Sequence, residues 1–203
     1  MTYFYTGTPG SGKSLHLAKK IRSWLKKGSL VIANFPVNTD CIKRISKKSK
    51  FVYMPMEEMQ APNAIDRLKK IVADYGFENR SYIVFDECQI LWNSRSWNKK
   101  DRQDWVQFFT VHRHYGHDKL DCILVTQNDK FIDKQIRAVV EFETRHKKVS
   151  NVNGFGLIMS LPFRGQLFVA VTDYYGQHDT VNKEFIIGHK AIFDIYDTHA
   201  MFD

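Results

Sequence analysis

An α/β P-loop fold, mainly a parallel sheet with helices on both faces and antiparallel strands towards its carboxyl-terminal end, is predicted from three observations. The segment Gly7-Thr8-Pro9-Gly10-Ser11-Gly12-Lys13-Ser14 follows a short apolar run and opens a helical pattern. Two unbroken β-favouring runs, Tyr82-Ile83-Val84-Phe85 and Cys122-Ile123-Leu124-Val125, are bounded by polar residues as strands covered on both faces are. Between them Trp105, Phe108, Phe109 and His112 mark one face of a helix that ends near Gly116, so strand and helix alternate as in a doubly wound sheet.

The remaining elements follow in order. Tyr3 to Tyr5 reads as the first strand, and Leu15, Ala18, Ile21, Trp24 and Leu25 recur at helical spacing until Gly28 stops the helix. Leu30 to Ala33 is a second strand ending at Asn34 and Pro36, and Phe51 to Met54 is a third. The stretch from Met56 to Tyr75 resumes helical character and closes at Gly76. From Val139 the pattern changes. Val140-Glu141-Phe142-Glu143, Phe155 to Leu161 and Gln166 to Thr172, with Gly or Asn turns between them, predict antiparallel strands added to the sheet.

Composition sets limits on the partners. The 203 residues, 43% hydrophobic and 26% charged, suit one folded domain over residues 1–203 and exclude a disordered chain. An excess of 30 Lys plus Arg over 22 Asp plus Glu favours anionic partners without choosing among phosphates, nucleic acid and lipid headgroups. Part of it, Lys43, Arg44, Lys47, Lys48 and Lys50, reads as a solvated face. Cys41, Cys88 and Cys122 lie far apart with no C-x-x-C spacing, which argues for a reducing compartment and against disulfides and structural zinc. No apolar window is long enough to span a membrane, and the amino terminus lacks export-signal features.

The chemistry concentrates in four places. In Gly-x4-Gly-Lys-Ser the glycines Gly7, Gly10 and Gly12 let backbone N–H groups wrap an anion, with Pro9 and Ser11 completing the turn. The helix start at Lys13, Ser14 and Leu15 adds partial positive charge, Lys13 reaches the outer phosphates of ATP, and Ser14 ligates Mg²⁺. The pattern arises by chance in roughly one chain in a hundred of this length, and the strand-before, helix-after context lowers that further. The run Tyr82-Ile83-Val84-Phe85 ends in Asp86, positioned to hold Mg²⁺ with Ser14, and in Glu87, positioned to polarise an attacking water. Gln127, after the next strand, has an amide that can donate to a γ-phosphate and accept from water. His112, His114 and His117 invite a metal reading, but His112 and His114 would point to different sides of a helix. Arg113 is instead expected to be unpaired and to act across a subunit interface on transition-state charge, with Arg95 and Arg137 competing for that role.

The P-loop together with Val84-Phe85-Asp86-Glu87-Cys88-Gln89, Arg113-His114-Tyr115-Gly116-His117-Asp118 and Thr126-Gln127 resembles the N-terminal domain of the zonular occludens toxin family, which includes filamentous-phage assembly ATPases. The likeness runs from Met1 to about Tyr196, and the Arg-His-Tyr-Gly-x-Asp segment is more specific than the P-loop alone. It implies a cytoplasmic Mg·ATP-hydrolysing domain at the bacterial inner membrane, active in phage assembly or extrusion. It also implies a homo-oligomer whose partners include phage coat or assembly proteins and single-stranded DNA. Family members typically continue into a membrane-spanning helix and a periplasmic portion. These residues are therefore expected to be the cytoplasmic part of a longer protein, membrane-bound only through a segment outside this chain. The toxin activity that named the family is associated with the far side of the membrane helix and is not expected here.

Two other functions stay open. A small-molecule or nucleotide kinase would use the same P-loop, but the acidic pair and the lack of an arginine-bearing lid between the second and third strands argue against it. An ATP-gated assembly adaptor with little hydrolysis would differ in turnover alone.

Overall fold

The computed structural model describes residues 1–76, 78–95, 102–152, 154–177 and 179–196, with the side chains of residues 154 and 155 left undescribed. The chain enters through β1 (Thr2–Thr6) and turns at the P-loop into α1 (Lys13–Lys26). It then forms β2 (Leu30–Ala33) and β3 (Lys50–Tyr53). The predicted Met56 to Tyr75 helix is two helices, α2 (Met56–Met59) and α3 (Ala64–Tyr75). Pro62 separates them, since it lacks the N–H that a continuous helix needs. Next come β4 (Ser81–Phe85), α4 (Arg102–Tyr115), β5 (Leu120–Val125) and the short α5 (Lys134–Ala138).

The carboxyl-terminal part departs from expectation in two ways. β6 (Phe142–Lys148) begins two residues later than predicted and runs parallel to β1, with Phe142 opposite Tyr3, because α5 carries the chain across the sheet before the strand starts. Antiparallel pairing begins only with β7 (Leu167–Tyr174) and continues in β8 (Thr180–Ile187), which has no counterpart among the predicted strands. The apolar run Phe155 to Leu161, expected to be a strand, is α6 (Gly154–Ser160) running into a 3₁₀ turn. β6 and β7 pair directly with each other, so the segment joining them is not a strand between them, and short apolar runs do not separate helix from strand by periodicity. A short helix, α7 (Lys190–Phe193), follows β8.

Among the described residues the sheet has eight strands in the order β3-β2-β4-β5-β1-β6-β7-β8. Alternation along the strands divides the core between its two faces. Phe4, Ile83, Phe85, Cys122 and Leu124 pack with Leu68, Val72, Trp105 and Phe109 of α3 and α4. Tyr5, Val84, Ile123 and Val125 pack with Leu17, Ala18 and Ile21 of α1 and with Ile192 beyond β8. Beneath the end of β4, Phe85 meets Trp92 and Trp105 edge-on at 5.1 and 5.6 Å. Burial of each large side chain contributes about 1.5–3 kcal/mol. That anchoring holds fixed the point at which the next two residues, Asp86 and Glu87, leave the sheet.

Candidate nucleotide site

β5 lies between β1 and β4, so the segments leaving the carboxyl-terminal ends of these three strands rise side by side. This is where open α/β sheets bind ligands. From β1 comes the P-loop. Gly7 has φ 145°, and a Cβ there would stand 2.6 Å from Ser11 Oγ and 2.7 Å from the His146 carbonyl, so only glycine fits. Gly12, with φ 96°, caps α1, and a Cβ there would stand 2.6 Å from the Phe168 ring. The Thr8 carbonyl accepts the Ser11 N–H at 3.1 Å, which closes the turn. Thr8, Pro9 and Gly10 are exposed, Ser11 is buried, and Leu15 contributes its side chain to the core. Only from His16, whose N–H reaches the Gly12 carbonyl at 2.9 Å, does intrahelical bonding begin, so the first-turn N–H groups of Lys13, Ser14 and Leu15 have no partner within the helix. No acidic residue occupies that turn to offset the helix dipole.

Lys13 donates from Nζ to the Gly7 carbonyl at 2.5 Å and to the Thr8 carbonyl at 3.3 Å. Burial holds its ammonium below the usual lysine range, while Asp86 and Glu87 pull it back up. Behind the loop, His146 meets the Thr6 carbonyl through Nδ1 at 3.0 Å and His16 through Nε2 at 2.8 Å. Burial pushes His146 down to about 3, so its imidazole adds no positive charge near neutral pH.

From β4 come the two carboxylates. Asn34, at the end of β2, clips Asp86 from both sides: its Nδ2 donates to the Asp86 carbonyl at 2.8 Å and its Oδ1 accepts the Asp86 N–H at 2.7 Å. The Asp86 carboxylate is buried, accepting the Glu87 N–H on Oδ1 at 2.9 Å and the Tyr196 hydroxyl on Oδ2. Burial raises its pKa, and those two donors oppose the rise. Tyr196 lines the same cavity as Ser14, and burial together with the Asp86 carboxylate pushes its phenol up. Glu87 sits in the left-handed region at φ 47°, a strained conformation that clusters at functional sites, and its Oε2 accepts from Gln89 Nε2. From β5 comes Gln127, exposed, whose carbonyl accepts the Gly7 N–H at 3.4 Å and so ties its segment to the P-loop.

The Asp86 carboxylate accepts from the Tyr196 hydroxyl, and Tyr196 lines the same cavity as Ser14, so the Asp86 carboxylate and the Ser14 hydroxyl belong to one site. One hydroxyl and one carboxylate in one site fit Mg²⁺, which takes few protein oxygens and keeps waters and phosphates for the rest. A cavity of about 720 Å³ opens against Gly10 to Ser14, with Phe168 and Phe193 on its apolar wall.

The structure brings together the P-loop residues, Asp86, Glu87 and Gln127, and leaves Arg113 apart. Arg113 ends α4 at the opposite, amino-terminal edge of the sheet and is ion-paired with Glu141, not unpaired as expected, because the turn into β6 delivers that carboxylate to it. Arg137 faces Asp129 at 3.9 Å, whereas Arg95 is exposed on the loop that follows Glu87. His112 is buried, its Nδ1 2.6 Å from the Phe109 carbonyl and its Nε2 3.0 Å from the Met1 ammonium, and no cluster of metal-ligating side chains occurs among the described residues. The sequence reading missed Asn34, Gln89, Phe168 and Tyr196. Asn34 carried a signal, an amide directly after an apolar strand. Tyr196 carried none, since it reaches the site only through tertiary packing.

These features define a P-loop NTPase fold. The family described as Zonular occludens toxin (Zot) matches residues 1–201, and the chain belongs to it. The Gene 1 protein of Enterobacteria phage fd is 30% identical over 222 residues, and that of Salmonella phage IKe is 25% identical over 211. Each alignment covers 98% of this chain but only 60% and 57% of the relative, so the chain spans under two thirds of their length. Among solved structures, the N-terminal domain of zonular occludens toxin from Neisseria meningitidis shares the fold at TM-score 0.53 and 18% identity, covering 97% of this chain and 98% of that one. The genome packaging NTPase B204 of Sulfolobus turreted icosahedral virus 2, solved with ATP-gammaS, has TM-score 0.53 at 12% identity, covering 92% and 96%.

Proposed function

We propose that this chain binds Mg·ATP and hydrolyses it to energise filamentous phage assembly or extrusion. The observation that carries the reading is the Asp86–Glu87 pair, delivered by β4 to the same sheet end as Lys13 and Ser14, with Gln127 following the end of β5 between those strands. The P-loop glycines and the first-turn N–H groups hold the phosphates, and Lys13 turns from its own carbonyls to the β and γ oxygens. Ser14 and Asp86 hold Mg²⁺, which when bound offsets charge on the β and γ oxygens. Glu87 takes the proton of the attacking water, and Gln127 orients that water against the γ-phosphate.

The geometry favours a hydrolase over a kinase, because a carboxylate held in a strained turn beside the metal ligand serves water more readily than a bound acceptor. An arginine from a neighbouring subunit completes the site. Arg95, exposed on the Glu87 loop, is better placed for that role than the ion-paired Arg113 or the Asp129-facing Arg137. The working form is thus a homo-oligomer on the cytoplasmic side of the bacterial inner membrane, acting on phage coat or assembly proteins or on single-stranded DNA.

Phosphate release and nucleotide binding test the reading together. Glu87→Gln is expected to keep nucleotide affinity and to lower turnover by about 10²–10⁴-fold. Equal turnover in the two proteins would remove Glu87 from the water-activating role, and negligible turnover by the wild type with nucleotide still bound would favour the assembly adaptor.

A further inference from the structure

Beyond β8 the chain doubles back over the nucleotide cavity. α7 packs on α1, with Ile192 and Ile195 in the same core cluster as Leu17 and Ile21. The segment is fastened to the loop after β2: the Asn38 N–H donates to the Ile195 carbonyl at 3.0 Å, Tyr196 forms an antiparallel bridge with Val37, and its ring meets Phe35 edge-on at 4.6 Å. The fastening brings the buried Tyr196 hydroxyl onto the Asp86 carboxylate, beside the cavity that Ser14 lines. Phe35 and Ile195 are fully buried, so this hydroxyl is held by packing on both sides.

We propose that Tyr196 is a positioning residue of the metal site, and that it holds the Asp86 carboxylate in a bonded arrangement which Mg²⁺ must break. The inference rests on the nucleotide-binding reading given above and adds a regulator to it. One Asp86 oxygen is taken by the Glu87 N–H and the other by the Tyr196 hydroxyl, so a cation reaching this carboxylate competes directly with the phenol. Because the hydroxyl belongs to the segment 189–196, metal binding and the seating of that segment are coupled. Whatever holds the segment down weakens Mg²⁺, and Mg·nucleotide loosens the segment. The coupling is reciprocal by thermodynamic necessity.

The test is Mg²⁺ titration of fluorescent-nucleotide binding, with a chelator baseline, in the wild-type protein and in Tyr196→Phe, which keeps the ring on Phe35 and removes only the hydroxyl. Losing a hydrogen bond to a charged group is expected to lower the Mg²⁺ concentration for half-maximal binding by about tenfold. An unchanged or higher requirement in Tyr196→Phe overturns the proposal, and thermal melting establishes that both proteins are folded. Hydrogen exchange is a second readout that needs no variant. Mg·nucleotide is expected to speed exchange at the Asn38 amide, which donates into the segment, whereas unchanged protection means that the segment stays seated and refutes the coupling. Absence of nucleotide binding by the wild type at every Mg²⁺ concentration would instead refute the nucleotide reading itself. Magnesium-dependent binding identical in the two proteins would spare that reading and sink only the role of Tyr196.

Discussion

At the amino-terminal end of the sheet the Met1 ammonium and Arg80 both reach the Asp121 carboxylate at 2.8 Å, and Arg113 pairs with Glu141. At the carboxyl-terminal end Lys13, Asp86 and Glu87 are as charged and lie near one another, yet each is satisfied by a neutral group. Lys13 donates to backbone carbonyls, Asp86 accepts from a phenol and an amide, and Glu87 accepts from the Gln89 side chain. Opposite charges that neutralise each other stabilise the fold and have little left to offer a ligand. Opposite charges held apart by weak neutral partners cost stability, through burial of Asp86 and the left-handed turn at Glu87, and under the proposed function are the groups left for phosphate and metal.

The contrast predicts that substitutions at the two ends fail in different measurements. The largest effect is expected at Lys13. Removing its ammonium in Lys13→Ala should weaken nucleotide binding by about a hundredfold or more, since two or more charge-assisted hydrogen bonds are lost, and should leave the melting temperature within a few degrees. A large fall in melting temperature would mean that Lys13 is structural and would break the comparison. Asp121→Asn should do the reverse. Its carboxylate is 8% exposed, but both cationic partners are about half exposed and screened, so the expected loss is about 1–3 kcal/mol of stability with unchanged nucleotide affinity. For a chain of this size each kcal/mol lowers Tm by about 2–4 °C. A weaker nucleotide affinity in Asp121→Asn would show that the two ends are coupled through the sheet.

How much of this was legible in the sequence differs between the same two ends. The P-loop, Asp86, Glu87 and Gln127 could be read because each is tied to the end of a continuous apolar strand, and the alternation of strand and helix makes those strands parallel, so their ends lie at one side of the sheet. The parallel strands β1 to β5 were legible for the same reason. The paired end was not, because Met1, Asp121, Arg80, Arg113 and Glu141 meet only after the sheet is assembled, and nothing local in sequence marks an arginine as paired. Tyr196 was hidden in the same way, more than a hundred residues from Asp86. α6 was misread because Phe155 to Leu161 is apolar without an outward polar face; Leu157, Ile158 and Met159 are exposed, against the assumption that an apolar run is buried.

The smallest effect is expected at Arg113, and there the comparison can be sharpened furthest. Its ion pair with Glu141 is partly exposed at both ends, so Arg113→Ala should cost under about 1 kcal/mol of stability. Because it stands at the edge of the sheet opposite its own P-loop, it should also leave nucleotide affinity unchanged. Turnover per subunit is expected to climb with protein concentration if an arginine is supplied by a neighbour. Arg95→Ala should flatten that climb, and mixing it with Lys13→Ala should restore part of the turnover, since each subunit then supplies what the other lacks. Arg113→Ala should climb as the wild type does. If Arg113→Ala alone flattens the climb, its pair with Glu141 opens on assembly and the amino-terminal end of one subunit serves the nucleotide of the next. If turnover per subunit stays constant over a roughly hundredfold dilution, no arginine acts between subunits, and the division between a structural and a functional end holds within a single chain.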